Sequence, residues 1–209
     1  MEEGGQDLVG ELADAYLHLG VSLDGLSQYD DASKCYEQAI AIYRELIPLG
    51  RIELAPHLPL ALYNLGNVLD ALGRKQEAEG AYRESIAKYD ELIAAGAPQL
   101  ETERALVHAS LGNVLFDRDR KQEAIVAYES ALAVWEPRLK TAASADPGPG
   151  LVPEVAKARY NLGRVLDSQS RADEAISAYL GAVELWETLA GPERPELSLD
   201  LARARTNLA

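Results

Sequence analysis

Asparagine gives this sequence its most regular chemistry. Asn64, Asn161 and Asn207 occupy one recurring position, and Asn67 and Asn113 occupy a second, three residues further on. A carboxamide donates and accepts at once, so a row of them can pair with the main-chain groups of an extended peptide whatever its sequence. Tyr63 and Tyr160 directly precede Asn64 and Asn161 and offer walls for side-chain pockets, or packing surfaces between neighbouring elements. Lys157 and Arg164 bring positive charge beside Asn161, whereas Asp24, Asp70 and Asp167 recur with negative charge. Such a mixture suits a partner of basic or mixed charge, and a solvated face accounts for it more cheaply.

The residue types that carry catalysis lack the spacing for it. "DPGPG" is broken by proline and has neither a GxGxxG pattern nor a GK[ST] ending, so no phosphate loop is expected. His18, His57 and His108 do not form HExxH, and no Cys/His cluster has zinc spacing. Cys35 adjoins Tyr36 and reads as a small core or boundary residue, not a nucleophile. The pairs Asp30 and Asp31, or Asp117 and Asp119, read first as turn residues. The expectation is a non-enzyme with no cofactor and no metal.

What positions the asparagines is an internal repeat. "LGNVL" stands at 65–69 and again at 111–115, with looser copies "LGVSL" from Leu19 and "LGRVL" from Leu162. The anchor glycines Gly20, Gly66, Gly112 and Gly163 are 46, 46 and 51 residues apart. Each is followed at fixed offsets by an alanine (Ala32, Ala78, Ala124, Ala175), a tyrosine (Tyr36, Tyr82, Tyr128, Tyr179) and a small residue (Ala39, Ser85, Ala131, Ala182). The leucine pairs flanking the glycine are four apart, on one face of a first helix. Ile40, Ile86, Leu132 and Val183, then Tyr43, Tyr89, Trp135 and Trp186, lie at helical spacing along a second.

Glycine inside a helix costs about 1 kcal/mol relative to alanine, so its return in every copy predicts that another backbone comes close there. The turns "LGRKQEA" and "DRDRKQEA" are too short for anything but an antiparallel return. Gly50 and Gly96 are expected to end second helices, with Pro56 opening the next helix. Pro137 predicts a bent or shortened helix, and "SADPGPG" at 144–150 predicts the most mobile loop.

The order Leu-Gly, Leu, Ala, Tyr and small residue resembles the tetratricopeptide repeat, from about residue 7 to the end. The usual period of that family is about 34 residues, so this is a long-helix variant, similar to the repeats of kinesin light chains and of bacterial arrays. The resemblance implies an all-α, right-handed superhelical solenoid of antiparallel helix pairs. Four pairs (about 7–50, 54–96, 97–143 and 151–191) and a partial fifth (195–209) make one domain over 1–209. The fifth either caps the stack or marks a piece cut from a longer protein.

The resemblance also implies that the first helices line a concave groove for peptide or protein segments. The groove positions then hold His18, Asn64, Ser110, Asn161 and Asn207 in one set, and Val21, Asn67, Asn113 and Arg164 in the other. The same asparagines can instead bond to a neighbouring repeat. A terminal-carboxylate clamp of the chaperone-binding members is not expected, because Leu17, Asp14, Tyr63 and Leu106 stand where its basic residues belong.

Composition sets the outer limits. With 209 residues, 47% hydrophobic, the chain can bury a substantial core, and its apolar set, mostly Leu, Ala, Ile and Val with ten Tyr but a single Phe, favours helices over a β-sandwich. A net charge of −14 argues against nucleic acid. Residues 1–50 hold ten acids against two bases, a surface that attracts a basic partner or only keeps the protein in solution. The N-terminus "MEEGGQDLV" has no export signal, no run is long enough to span a bilayer, and Cys35 stands alone, so a cytoplasmic setting is expected. A homo-oligomer formed through the terminal repeat, or a regulatory fragment of a larger signalling protein, is the alternative to a peptide-binding scaffold.

Overall fold

The computed structural model describes residues 3–142 and 150–189. The expected partial fifth copy with Asn207, and all but the last residue of the "SADPGPG" segment, lie outside the described residues. Those described form eight α-helices and no strand: α1 (Glu3–Gly25), α2 (Tyr29–Leu46), α3 (His57–Ala71), α4 (Lys75–Ala94), α5 (Glu101–Asp117), α6 (Lys121–Ala142), α7 (Leu151–Asp167) and α8 (Ala172–Leu189). None of them is long and apolar enough to cross a membrane.

Two compact units divide between Ser110 and Leu111, within α5. In the first, α1 pairs with α2, α2 packs on α3, and α3 pairs with α4. In the second, α6 packs on α7 and α7 pairs with α8, while Tyr128 of α6 lies against Gly112 of α5.

Helix periodicity explains each buried face. In α2, Ala32, Tyr36, Ala39, Ile40, Tyr43 and Leu46 recur every three or four residues and are all buried. Asp30 and Asp31 sit in its first turn and Arg44 in its last, complementing the helix dipole. The second-helix aromatics form the heart of both units: Tyr36, Tyr43, Tyr82 and Tyr89 in the first, Tyr128, Trp135, Tyr179 and Trp186 in the second, none more than 3% exposed. Each such ring buries roughly 150–250 Å² and is worth about 1.5–3 kcal/mol.

The anchor glycines answer to these rings. A Cβ on Gly20, Gly66, Gly112 or Gly163 would stand 2.6, 2.5, 2.8 and 2.7 Å from the tyrosine sixteen residues on, nearer than real Cβ atoms come. The close neighbour is thus a phenol ring of the same repeat, where the sequence suggested another backbone. A flat ring laid on the first helix needs the same bare backbone that a helix crossing would need, so the two cannot be told apart from spacing.

The turn inside each pair is built identically four times. Seven residues after the anchor, Ser27, Gly73, Asp119 and Ser170 are left-handed, with φ of 58°, 76°, 58° and 59°. The next N–H donates back to the motif leucine: Gln28 to Leu23, Arg74 to Leu69, Arg120 to Leu115 and Arg171 to Leu166, at 2.8–3.1 Å. The second leucine of "LGxxL" therefore both packs and closes the helix end in a Schellman geometry. Gly50 and Gly96 end the second-helix segments as expected, with φ of 100° and 104°. Pro56 caps α3.

At Pro137 the sequence predicts a bent or shortened helix. α6 runs through Pro137 to Ala142 and is not shortened. Proline forfeits one backbone bond, while the buried Trp135 anchors the preceding turn.

Candidate peptide-binding face

The repeated asparagines are tied to the repeated tyrosines. In the first unit the Tyr82 ring crosses Gly66, and its hydroxyl donates to Asn67 Oδ1 at 2.7 Å. Ser110 lies beside that hydroxyl. In the second unit the Tyr128 hydroxyl donates to Asn113 Oδ1 at 2.6 Å, and Asn161 Nδ2 donates to the same oxygen at 2.9 Å. Burial pushes both phenols well above their ordinary range, so they stay protonated donors.

This ladder has a simple rule. In the second and third repeats the tyrosine holds the asparagine after its own anchor glycine, and in the third Asn161, two before the next anchor, adds a second donor. The first repeat breaks it: Val21 replaces asparagine, and the Tyr36 hydroxyl is buried without a partner. Asn64, which stands where Ser110 and Asn161 stand, makes no side-chain hydrogen bond among the described residues.

These bonds revise what the row can offer. Asn113 Oδ1 accepts two bonds inside the protein and presents its donor alone, whereas Asn67 Oδ1 accepts one and keeps a second acceptor site beside its donor. Bonding to a neighbouring repeat, the other use open to the asparagines, is realised in Asn161 to Asn113. Tyr63 is half-buried with its ring 6.1 Å from that of Tyr82, and Tyr160 is half-buried 5.7 Å from Tyr179 and 5.6 Å from Trp186. Each leans on second-helix aromatics, leaving an accessible edge. Arg164 is exposed and its guanidinium lies 5.1 Å from the centre of the Phe116 ring, a cation–π contact that fixes its direction. Lys157 is exposed and 3.3 Å from Glu154.

Several polar groups escaped sequence reasoning. Arg74, Arg120 and Arg171, at the start of second helices, each grip the glutamate three residues on with two hydrogen bonds of 2.5–2.7 Å, to Glu77, Glu123 and Glu174. The recurring Arg-x-x-Glu spacing was the available signal. Asp14 Oδ1 accepts from Tyr43 Oη at 2.6 Å and meets His57 Nδ1 at 2.8 Å, joining α1, α2 and α3. Partial burial would raise the Asp14 carboxyl, but the Tyr43 and His57 contacts prevail and hold it below the usual carboxylate range. Its members are 29 and 43 residues from Asp14, so no local pattern announces them. His108 is half-buried and pushed down by burial and by nearby Arg104. No group of His, Cys, Asp and Glu among the described residues is arranged to hold a metal ion.

Paired helices with a glycine–tyrosine lock, repeated four times, define a class of helical-repeat scaffold. The chain belongs to the tetratricopeptide repeat family, whose model matches residues 17–92 and 110–190. That family supports protein interactions and is in general non-enzymatic. Solved structures agree on the fold. BtubC (BKLC) from P. vanneervenii is 21% identical with a TM-score of 0.68, over 86% of this chain and 65% of that one. A Podosopora anserina putative kinesin light chain with nearly identical TPR-like repeats is 20% identical, TM-score 0.67, over 99% and 89%. The MamA protein is 22% identical, TM-score 0.58, over 95% and 91%. No curated protein matches the sequence.

Proposed function

We propose that this chain is a non-enzymatic scaffold that captures an extended or helical segment of a partner protein on the exposed side of its first helices. Tyr63, Asn64 and Asn67 make one recognition patch in the first unit. Asn113, Lys157, Tyr160, Asn161 and Arg164 make another in the second. The setting is the cytoplasm, and the partner segment is basic or mixed in charge, in keeping with the net charge of −14.

One observation carries this reading. Asn67 and Asn113 are each locked by a tyrosine hydroxyl through oxygen, while their Nδ2 groups find no acceptor among the described residues. A fixed donor costs little to order on binding. Partner main-chain carbonyls are the acceptors it suits, each bond contributing about 0.5–1.5 kcal/mol, for an affinity on the order of micromolar.

The test combines capture from host extract, mass spectrometry and titration of the captured partner. Asn64→Ala with Asn67→Ala and Asn113→Ala should weaken binding at least about tenfold while helicity is retained. Asn64→Ala alone is the cleanest probe, since no intramolecular bond is lost. Undiminished capture by the triple variant defeats the assignment.

A further inference from the structure

A first helix in such an array has two faces to cover, one against its own second helix and one against the second helix of the repeat before. Around α3 the latter face comprises Leu54, Leu58, Ala61, Leu65, Val68 and Leu72, which join the core built on α2. The residues 46 earlier are Leu8, Leu12, Ala15, Leu19, Ser22 and Leu26. They keep the apolar character of that face but lie open: Leu8, Leu12, Leu19 and Leu26 are 67%, 47%, 48% and 69% exposed. Their spacing of 4, 3, 4, 3 and 4 is that of a two-helix seam.

We propose that this stripe is a two-fold interface at which α1 of one copy lies antiparallel on α1 of a second copy. The face continues an interface already used inside the chain, so a helix is the fitting occupant. The sequence of the stripe points to its own copy. Reversed about Leu17, it sets Leu8 against Leu26, Leu12 against Ser22 and Ala15 against Leu19, so that at the centre every large side chain meets a small one.

Charge permits the same register. Glu11, Asp14, His18 and Asp24 come level with Leu23, Gly20, Tyr16 and Gly10 of the second copy, and no acid meets an acid despite the acidity of residues 1–50. Covering Ser22 strands no hydroxyl, because its Oγ already donates to the His18 carbonyl at 3.0 Å. No residue of the stripe belongs to the proposed peptide-binding patches on α3, α5 and α7.

Light scattering and sedimentation of the full chain over a concentration series test the proposal. The wild type is expected to reach twice the single-chain mass, and Leu12→Glu with Leu19→Glu to remain at one chain mass with an unchanged helical spectrum. Should the double glutamate variant lose helicity, Leu12→Ala with Leu19→Ala gives the same reading as a dissociation constant raised at least about tenfold. In a Cys35→Ser background, Ala15→Cys chains mixed with Leu19→Cys chains should form the mixed disulfide in preference to either self-pair. A wild type of one chain mass at every concentration overturns the proposal and assigns the stripe to another chain segment or a foreign partner. Dimers that survive the substitutions, or self-pairs that dominate the crosslinking, overturn it too.

Discussion

The first and second repeats fold the same way but finish their locks differently. Both lay a buried tyrosine over a glycine, Tyr36 on Gly20 and Tyr82 on Gly66. Only the second gives its hydroxyl an acceptor, because Asn67 stands where the first has Val21. The ring contact is therefore the condition for pairing helices, and the hydrogen bond is an addition that fixes an asparagine at the surface. Shape complementarity is common to the repeats, and polar chemistry is where they diverge.

The largest expected effect tests the common part. Gly20→Ala and Gly66→Ala should each destabilise the protein by about 1–3 kcal/mol, because the ring must move to admit the new Cβ, despite the helix propensity gained. Equal losses in chemical denaturation mean that the lock ignores the hydroxyl bond. A much smaller loss at Gly20 would show that the unbonded ring gives way more easily.

The polar part is separated by Tyr36→Phe and Tyr82→Phe. Removing the bonded hydroxyl should cost about 1 kcal/mol, whereas removing the unpartnered one should be neutral or stabilising. Val21→Asn should then make the first repeat resemble the second, adding about 0.5–1.5 kcal/mol in the Tyr36 background and nothing with Tyr36→Phe. A gain that persists without the hydroxyl breaks the explanation.

The turns allow a milder comparison. Ser27 and Ser170 hold the left-handed conformation that Gly73 adopts freely. Ser27→Gly and Ser170→Gly should gain about 0.5–1 kcal/mol, and Gly73→Ser should lose a similar amount, read from thermal or denaturant midpoints.

The smallest effect concerns acid. Asp14, with its carboxyl held below the usual range, contributes stability that is full above the ordinary carboxylate value of about 3.9 and is lost as pH falls through its lower folded value. Asp14→Asn should flatten the acid limb of the stability profile, and an unchanged limb rules out the Tyr43–Asp14–His57 contact as its source.

Much of the helix-pair architecture was written in periodicity. The glycine spacing, the leucine pairs and the aromatic series place both helices of each repeat, since a residue's position along a helix decides which face it joins. The candidate site was only half legible. Asn64, Asn67, Asn113 and Asn161 were visible as a row, but nothing in their spacing disclosed that two of them surrender their oxygens to tyrosines fifteen residues away. The left-handed Ser27, Asp119 and Ser170 were hidden for a related reason: none is glycine, so local composition gave no cue to positive φ.

By itself the sequence determined the unit, its length, its two helices and the small residues at which they touch, because these follow from local periodicity and from the room a missing side chain leaves. Only the tertiary structure decided that the glycine's neighbour is a ring, that Tyr36 lacks an acceptor while Tyr82 and Tyr128 have one, and that the α1 stripe stays open. Each of those depends on which atoms arrive from elsewhere in the chain, and a hydrogen bond or a buried face exists only once both partners are in place.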